Sequence, residues 1–246
     1  INCQNMIEKT MYSPNSSKKI RKTNDIKFII LHYTGMQSKI VSIKRLLNPK
    51  HKVSCHFLID RNGQIIKMVD ENKIAWHAGK SKWKNFTDLN KNSIGIELVN
   101  KGHEFGYEKF TKIQIEKLVL ICKYLKKKYK IKNSNILGHS DIAPLRKKDP
   151  GENFPWLHLH KKNVGIWYKN LNSKKIKINK HNLVKLFYRN LYKIGYRYFS
   201  YKIKSKNRKK VVKAFQRRFN PNFISGKIDR NTFKICENLA KYSKNT

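Results

Sequence analysis

Long apolar runs are missing from this 246-residue chain: no stretch of 18 apolar residues occurs, which excludes a membrane-spanning helix. Cysteine is sparse as well. The four (Cys3, Cys55, Cys122, Cys236) are widely spaced with no CxxC pair, so neither a disulfide framework nor a cysteine zinc site is expected. Acidic residues are few, 15 against 56 Lys plus Arg, for a formal charge of +41. A charge of that size points first to nucleic acid. Yet Arg numbers only 10 and Ala only 5, whereas Lys (46), Asn (26) and Ile (28) fill 100 positions. Lys, Asn and Ile are spelled by A/T-rich codons, and selection for phosphate or base contacts favours the planar fork of Arg. The charge is therefore read mainly as codon bias, and no nucleic-acid partner is inferred.

What is present divides in two. Residues 1–169 carry 34 basic and 13 acidic side chains, and residues 170–246 carry 22 and 2, so charge does not mark a boundary. Chemical variety does, because all four Trp and most of the His fall between Ile26 and Trp167. The polar stretch 171–180 (LNSKKIKINK) reads as a linker. Upstream, 26–31 is a short apolar run fitting a buried strand. Residues 56–69 are two β-rich runs around Asn62-Gly63, a strong hairpin signal, and 93–99 (SIGIELV) is a further strand. From Thr111 apolar residues recur at helical spacing (Ile115, Leu118, Val119, Cys122, Leu125, Tyr129), with Thr111 and Gln114 matching a capping box. Residues 134–138 are another strand. Strands and helices interleaved in this way predict an α/β fold, a mixed central sheet flanked by helices. Downstream, helices are expected near 180–197, 207–219 and 229–243, forming a small three-helix bundle. The expected organisation is a 1–25 tether, a 26–170 catalytic domain, a 171–180 linker and a 181–246 helical domain.

Four segments carry chemistry: Leu31-His32-Tyr33-Thr34 at a strand end, Gly138-His139-Ser140-Asp141, Arg146-Lys147-Lys148-Asp149, and Glu97 inside an apolar strand. A His at a strand end lies where α/β proteins place their sites. A carboxylate inside an apolar run is costly unless paired or at work, which singles out Glu97. Two His and one Asp on different elements would form a three-ligand zinc site with an open fourth position. Spacing alone leaves open whether these residues form one site or stay unconnected, since no compact motif such as HExxH is present.

The ordered motifs LHYT (31–34), SCHFLIDRNG (54–63), AWHAGKSKW (75–83), NSIGIELVN (92–100) and GHSDIAPLRKKDPGENFPW (138–156) closely resemble the zinc-dependent N-acetylmuramoyl-L-alanine amidases of the type 2 family, nearest their AmiD-type branch. The resemblance covers about residues 26–168. It implies hydrolysis of the amide joining N-acetylmuramic acid to L-alanine in peptidoglycan or muropeptides, with one zinc ion per chain. By position it makes His32, His139 and Asp149 the metal ligands, Glu97 the acid/base, and Lys147 the cation that stabilises the tetrahedral intermediate. His56, Trp76 and His77 lie in family-like segments and are candidates for lining the cleft; for each His the competing reading is a hydrogen bond inside the sheet. Trp83, Trp156 and Cys55 are read as packing residues, and His158 and His160 as surface residues. The motifs LYKIGY (191–196), VVKAFQRRF (211–219) and GKIDRNT (226–232) are similar to a helical peptidoglycan-binding module. The competing function is a non-catalytic peptidoglycan-recognition protein, against which stand ligand-type residues at all three positions.

For location, the chain begins at Ile1 with no Met and no apolar signal region, so removal of an N-terminal segment is expected. Cys3 is a candidate for the lipidated cysteine of an outer-membrane lipoprotein, although Asn2 before it is not the small residue such a site normally has. The periplasmic side of the envelope is the expected compartment, with the cytoplasm as alternative.

Overall fold

The computed structural model describes residues 6–169, 171, 179–200 and 207–242. Its elements are β1 (Lys9–Thr10), β2 (Ser16–Ile20), β3 (Phe28–Tyr33), α1 (Lys39–Leu47), β4 (Phe57–Ile59), β5 (Ile65–Lys67), β6 (Lys73–Ala75), β7 (Lys82–Trp83), β8 (Phe86–Thr87) and β9 (Ser93–Leu98). They continue with α2 (Gly102–Phe105), α3 (Lys112–Tyr129), β10 (Ile136–Gly138), α4 (His139–Ile142), α5 (Trp156–Lys161), α6 (Lys180–Ile194), α7 (Arg208–Phe219) and α8 (Arg230–Tyr242). Six strands form one sheet in the order β1-β5-β4-β9-β3-β10. All its pairs are parallel except the β4–β5 hairpin. The sheet is therefore mixed, as expected, and Gly63 takes the left-handed conformation that the hairpin turn requires.

Alternation along β3 sets the layers. Ile29 and Leu31 join the core under α3, with Leu118, Cys122 and Leu125. Phe28 and Ile30 face the other way, into a core shared with α6, α7 and α8. β9 divides in the same manner: Ile94, Ile96 and Leu98 belong to the α3 side. By the period of two, Ser93, Gly95 and Glu97 take the face that carries His32. Helix α3 starts where its cap predicts, with Thr111 Oγ1 accepting from Gln114 N at 3.2 Å. Only half of the capping box forms. The Gln114 amide does not turn back on Thr111; it donates to Ile59 O and Val99 O at 3.1 Å, tying the ends of β4 and β9 to the helix.

Two readings of chain organisation change. The tether expected over 1–25 is not found over residues 6–25. β1 pairs with β5 and β2 with β6, while Met6, Ser13, Asn15 and Arg21 are buried. The cause is polar as much as apolar. Arg21 donates to the carbonyls of Glu71, Asn90, Lys91 and Ser93, and Asn15 to those of Leu46, Asn48 and Val53. These are contacts that charge counting along a sequence cannot reveal. The second change concerns α6–α8, which lie at the predicted positions but, among the described residues, share one core with the sheet. Leu183, Phe187, Leu191, Val212, Phe215, Phe219 and Phe233 are continuous with Phe28, Ile30, Trp83, Leu137 and Ile142. Cys3 and most of the linker, 172–178, lie outside the described residues.

Candidate active site

Three side chains from three elements meet at the carboxyl end of the sheet. His32 ends the buried part of β3, His139 opens α4 directly after β10, and Asp149 follows in the next loop, which Ser140 N anchors by donating to Asp149 O at 2.9 Å. His32 Nδ1 lies 3.0 Å from His139 Nδ1 and 2.9 Å from Asp149 Oδ2, and His139 Nδ1 lies 3.0 Å from the same oxygen. All three residues are buried. They are the one group of three or more His, Cys, Asp or Glu suited to a metal among the described residues.

The donor chemistry fits a cation. His139 Nε2 lies 3.0 Å from the carbonyl oxygen of Ala78 and 3.3 Å from Arg146 Nη2, which leaves Nδ1 as the nitrogen turned inward. His139 Nδ1 and His32 Nδ1 both face the same Asp149 oxygen, at 3.0 and 2.9 Å, so three ligand atoms converge on one point. Two imidazole nitrogens and one carboxylate oxygen are a catalytic zinc set, and bonds of about 2.0–2.1 Å would place tetrahedral neighbours about 3.3 Å apart. The electrostatics agree. Burial, with His139 alongside, pushes His32 down to about 4. Burial alone would raise Asp149, but the two imidazoles against it win and hold it below the usual carboxylate range.

Glu97 stands beside this group by register, since it is paired with His32 across the parallel β3–β9 ladder. It is 8% exposed and its Oε2 is buried without a partner. Burial first, then the charge of Asp149, raises its pKa well above the ordinary value, and Lys147 acts in the opposite direction. Lys147 is half-buried in the loop leading to Asp149, near enough to act on both Glu97 and His32. The arrangement thus supplies a metal-ligating triad, a desolvated carboxylate and an ammonium group around one point.

The cleft-lining candidates separate. His56 is fully buried: its Nδ1 accepts from Gly95 N at 2.9 Å and its Nε2 donates to Lys73 O at 3.1 Å. It belongs to the sheet and has no face for a substrate. His77 is also buried, directly behind His32, with Nδ1 3.0 Å from His32 Nε2. Trp76 remains half-exposed. Trp83, Trp156 and Cys55 are core residues and His158 and His160 are exposed, as read from the sequence.

Sequence reasoning missed Asp141, although it lies inside a quoted motif. Its Oδ2 accepts from Gly138 N at 2.8 Å and from Arg218 Nη1 at 2.5 Å, and its Oδ1 from Tyr196 OH at 2.5 Å. A carboxylate in a helix's first turn is a visible signal; its partners 55 and 77 residues downstream are not. Also missed was Tyr33, which meets His103 Nδ1 at 2.8 Å, with His103 Nε2 then 3.0 Å from Glu152 Oε2.

Comparison with known proteins gives the family. The family model described as N-acetylmuramoyl-L-alanine amidase matches residues 22–152. The N-acetylmuramoyl-L-alanine amidase AmiD of Escherichia coli K12 is 32% identical over 240 residues, covering 88% of this chain and 83% of its own. A structure of E. coli AmiD with the substrate anhydro-N-acetylmuramic acid-L-Ala-D-gamma-Glu-L-Lys superposes with a TM-score of 0.78 at 30% identity, over 92% of this chain and 91% of that one. AmpDH3 from Pseudomonas aeruginosa in complex with anhydromuramic pentapeptide superposes with a TM-score of 0.75 at 28% identity, over 92% and 94%. Matched over more than half of its length by the family model, and nearly end to end by a relative, the chain belongs to the type 2 N-acetylmuramoyl-L-alanine amidase family.

Proposed function

We propose that this protein hydrolyses the amide bond between N-acetylmuramic acid and L-alanine in peptidoglycan or its soluble fragments, with one zinc ion held by His32, His139 and Asp149. The observation that carries the reading is the metal-fitting triad beside a buried, unpartnered Glu97 carboxylate in a chain that aligns along its length with an amidase. When bound, zinc supplies a Lewis acid that acidifies water and polarises a carbonyl. The chain's own residues do the rest. Glu97, its basicity raised by desolvation, takes a proton from the attacking water at Oε2 and returns it to the alanine nitrogen as the C–N bond breaks. The ammonium of Lys147 faces the charge that develops on the carbonyl oxygen. The products are a free muramic carboxylate and an intact stem peptide with a free amino terminus.

Muropeptides incubated with the protein, with and without a chelator, and weighed by mass spectrometry test the reaction. Stem peptide released only in the presence of metal is the expected result; chelator-insensitive release, or products cut between sugars, would overturn it. The same proposal assigns α6–α8 to polymer contact through their outer faces, where Lys185, Arg189 and Lys193 are exposed toward an anionic wall. It also places the protein on the periplasmic side of the envelope, anchored to the outer membrane through a lipid on Cys3. Metabolic labelling with a radioactive fatty acid, wild type against Cys3→Ser, reads the anchor. Equal labelling of both removes the anchor and leaves the hydrolysis untouched.

A further inference from the structure

We infer that the segment His77-Ala78, pinned by Asn90, is a positioning clamp that fixes the tautomer of the metal-ligating His32; the inference rests on the zinc reading above. The argument is proton bookkeeping from atoms whose role is not open to choice. The carbonyl oxygen of Leu89 can only accept, so the single hydroxyl proton of Ser93 is spent on it, at 2.6 Å. Ser93 Oγ therefore accepts from its other neighbour, His77 Nε2, at 3.1 Å. His77 is buried, with no carboxylate in hydrogen-bond contact among the described residues, so its ring is neutral and its Nδ1 is a lone pair. His32 Nε2, 3.0 Å away, must then be the donor. With Nε2 committed, Nδ1 is the only nitrogen His32 can offer to a cation. Any proton that Nδ1 shares with Asp149 in metal-free protein is the one released on metal binding.

The clamp holds one ligand only, because His139 Nε2 faces both an acceptor, Ala78 O at 3.0 Å, and a donor, Arg146 Nη2 at 3.3 Å. The clamp hangs from one amide. Asn90 Oδ1 accepts from His77 N at 3.0 Å and Ala78 N at 2.7 Å. The His77 ring lies flat over Gly95, where an added Cβ would stand 2.4 Å from His77 Cγ, so β9 leaves the ring one place to be. His77 thus acts through His32 and has no role that needs contact with substrate.

The test reads metal and protons rather than turnover. In wild-type apoprotein, long-range 1H–15N imidazole spectra should show His32 protonated at Nε2. Zinc affinity, measured by competition with a chromogenic chelator, should fall roughly 10–100-fold in His77→Ala, as for other partners of metal-bound imidazoles. His32 should then lose its single tautomer. His77→Asn, whose amide oxygen can accept where Nδ1 did, should recover most of the affinity, and Asn90→Ala should loosen His77 and mix the His32 tautomers. If His77→Ala does not fold, Ser93→Ala keeps the ring and should still mix the His32 tautomers. Zinc binding by His77→Ala equal to wild type, or a wild-type His32 without an Nε2 proton, overturns the clamp. Wild-type protein that binds no zinc yet shows the Nε2 pattern instead overturns the metal reading and leaves the clamp standing.

Discussion

At the scale of single residues, Glu97 owes its chemistry to where the fold leaves it. A carboxylate on the surface would be too weak a base; one with a buried, unpartnered oxygen is stronger and is a burden on stability. Glu97→Gln should therefore lower turnover by roughly 10²-fold or more while leaving bound zinc in place. It should melt no lower than wild type. Near-normal hydrolysis would remove Glu97 from the mechanism, and a sharp drop in Tm would show that its charge holds the fold. His139→Ala should lose metal and activity together, which metal analysis of the purified variant checks directly. Glu152 gives a prediction in pH. The bond from His103, and to a lesser degree Arg217 nearby, holds it down to about 2, below an unfolded value of about 4.3. Its contribution is present above that unfolded value and fades as pH falls through about 4 toward 2. Urea midpoints of wild type and Glu152→Gln should differ near pH 6 and draw together as pH falls to about 2 and below; a constant gap would show that the contribution is not ionic.

At the scale of elements, the site is a consequence of strand register. β3 and β9 run parallel with His32 opposite Glu97, and their neighbours Leu31, Ile96 and Leu98 are apolar and point to α3. This much was legible in the sequence, because an acid in SIGIELV and a His ending IKFIILHY break apolar runs at a readable place. The three C-terminal helices were legible for the same reason, as long amphipathic periods need no knowledge of partners. What could not be read were side chains whose partners are distant in the chain. His77 looked like a cleft residue because its segment resembles the family's, yet three hydrogen-bonding neighbours place it behind His32. Arg21 looked like part of a tether because a basic residue in a polar stretch is normally solvated. It instead satisfies four backbone carbonyls, and Arg21→Met should cost about 3 kcal/mol in equilibrium unfolding, since those buried acceptors lose their donor. A loss under 0.5 kcal/mol, about that of a neutral surface change, would mean that water replaces the guanidinium there.

At the scale of the whole molecule, the sheet is covered on both faces, and the cover on the His32 side is α6–α8 over β3 and β10 and α1 over β4 and β5. Phe187, Phe215, Phe219 and Phe233 are each at most 1% exposed, and side chains of this size gain about 1.5–3 kcal/mol apiece from full burial. The joint is also polar, with Arg218 paired to Asp141, donating to Ile136 O at 3.1 Å and lying 4.0 Å from the centre of the Trp156 ring. Because Asp141 follows His139 by two residues, this pair steadies the helix that carries a metal ligand. Arg218→Met leaves a buried carboxylate short of its cation and should cost about 3–5 kcal/mol, read by urea denaturation. A chain ending at Lys169 should expose Phe28, Ile30 and Leu137 and precipitate, which light scattering would show.

The shared core has a further consequence for how the two lengths of polypeptide can be supplied. Among the described residues they are joined by the buried surface and by polar contacts, the Arg218–Asp141 pair and the Tyr196–Asp141 bond among them. The protein should therefore behave as a split enzyme: residues 1–171 and 179–246, expressed as separate chains in one cell, should find each other, co-purify as a one-to-one complex and bind zinc. Whether hydrolysis occurs would then depend on two genes at once, so the single chain doubles as a ready-made complementation reporter.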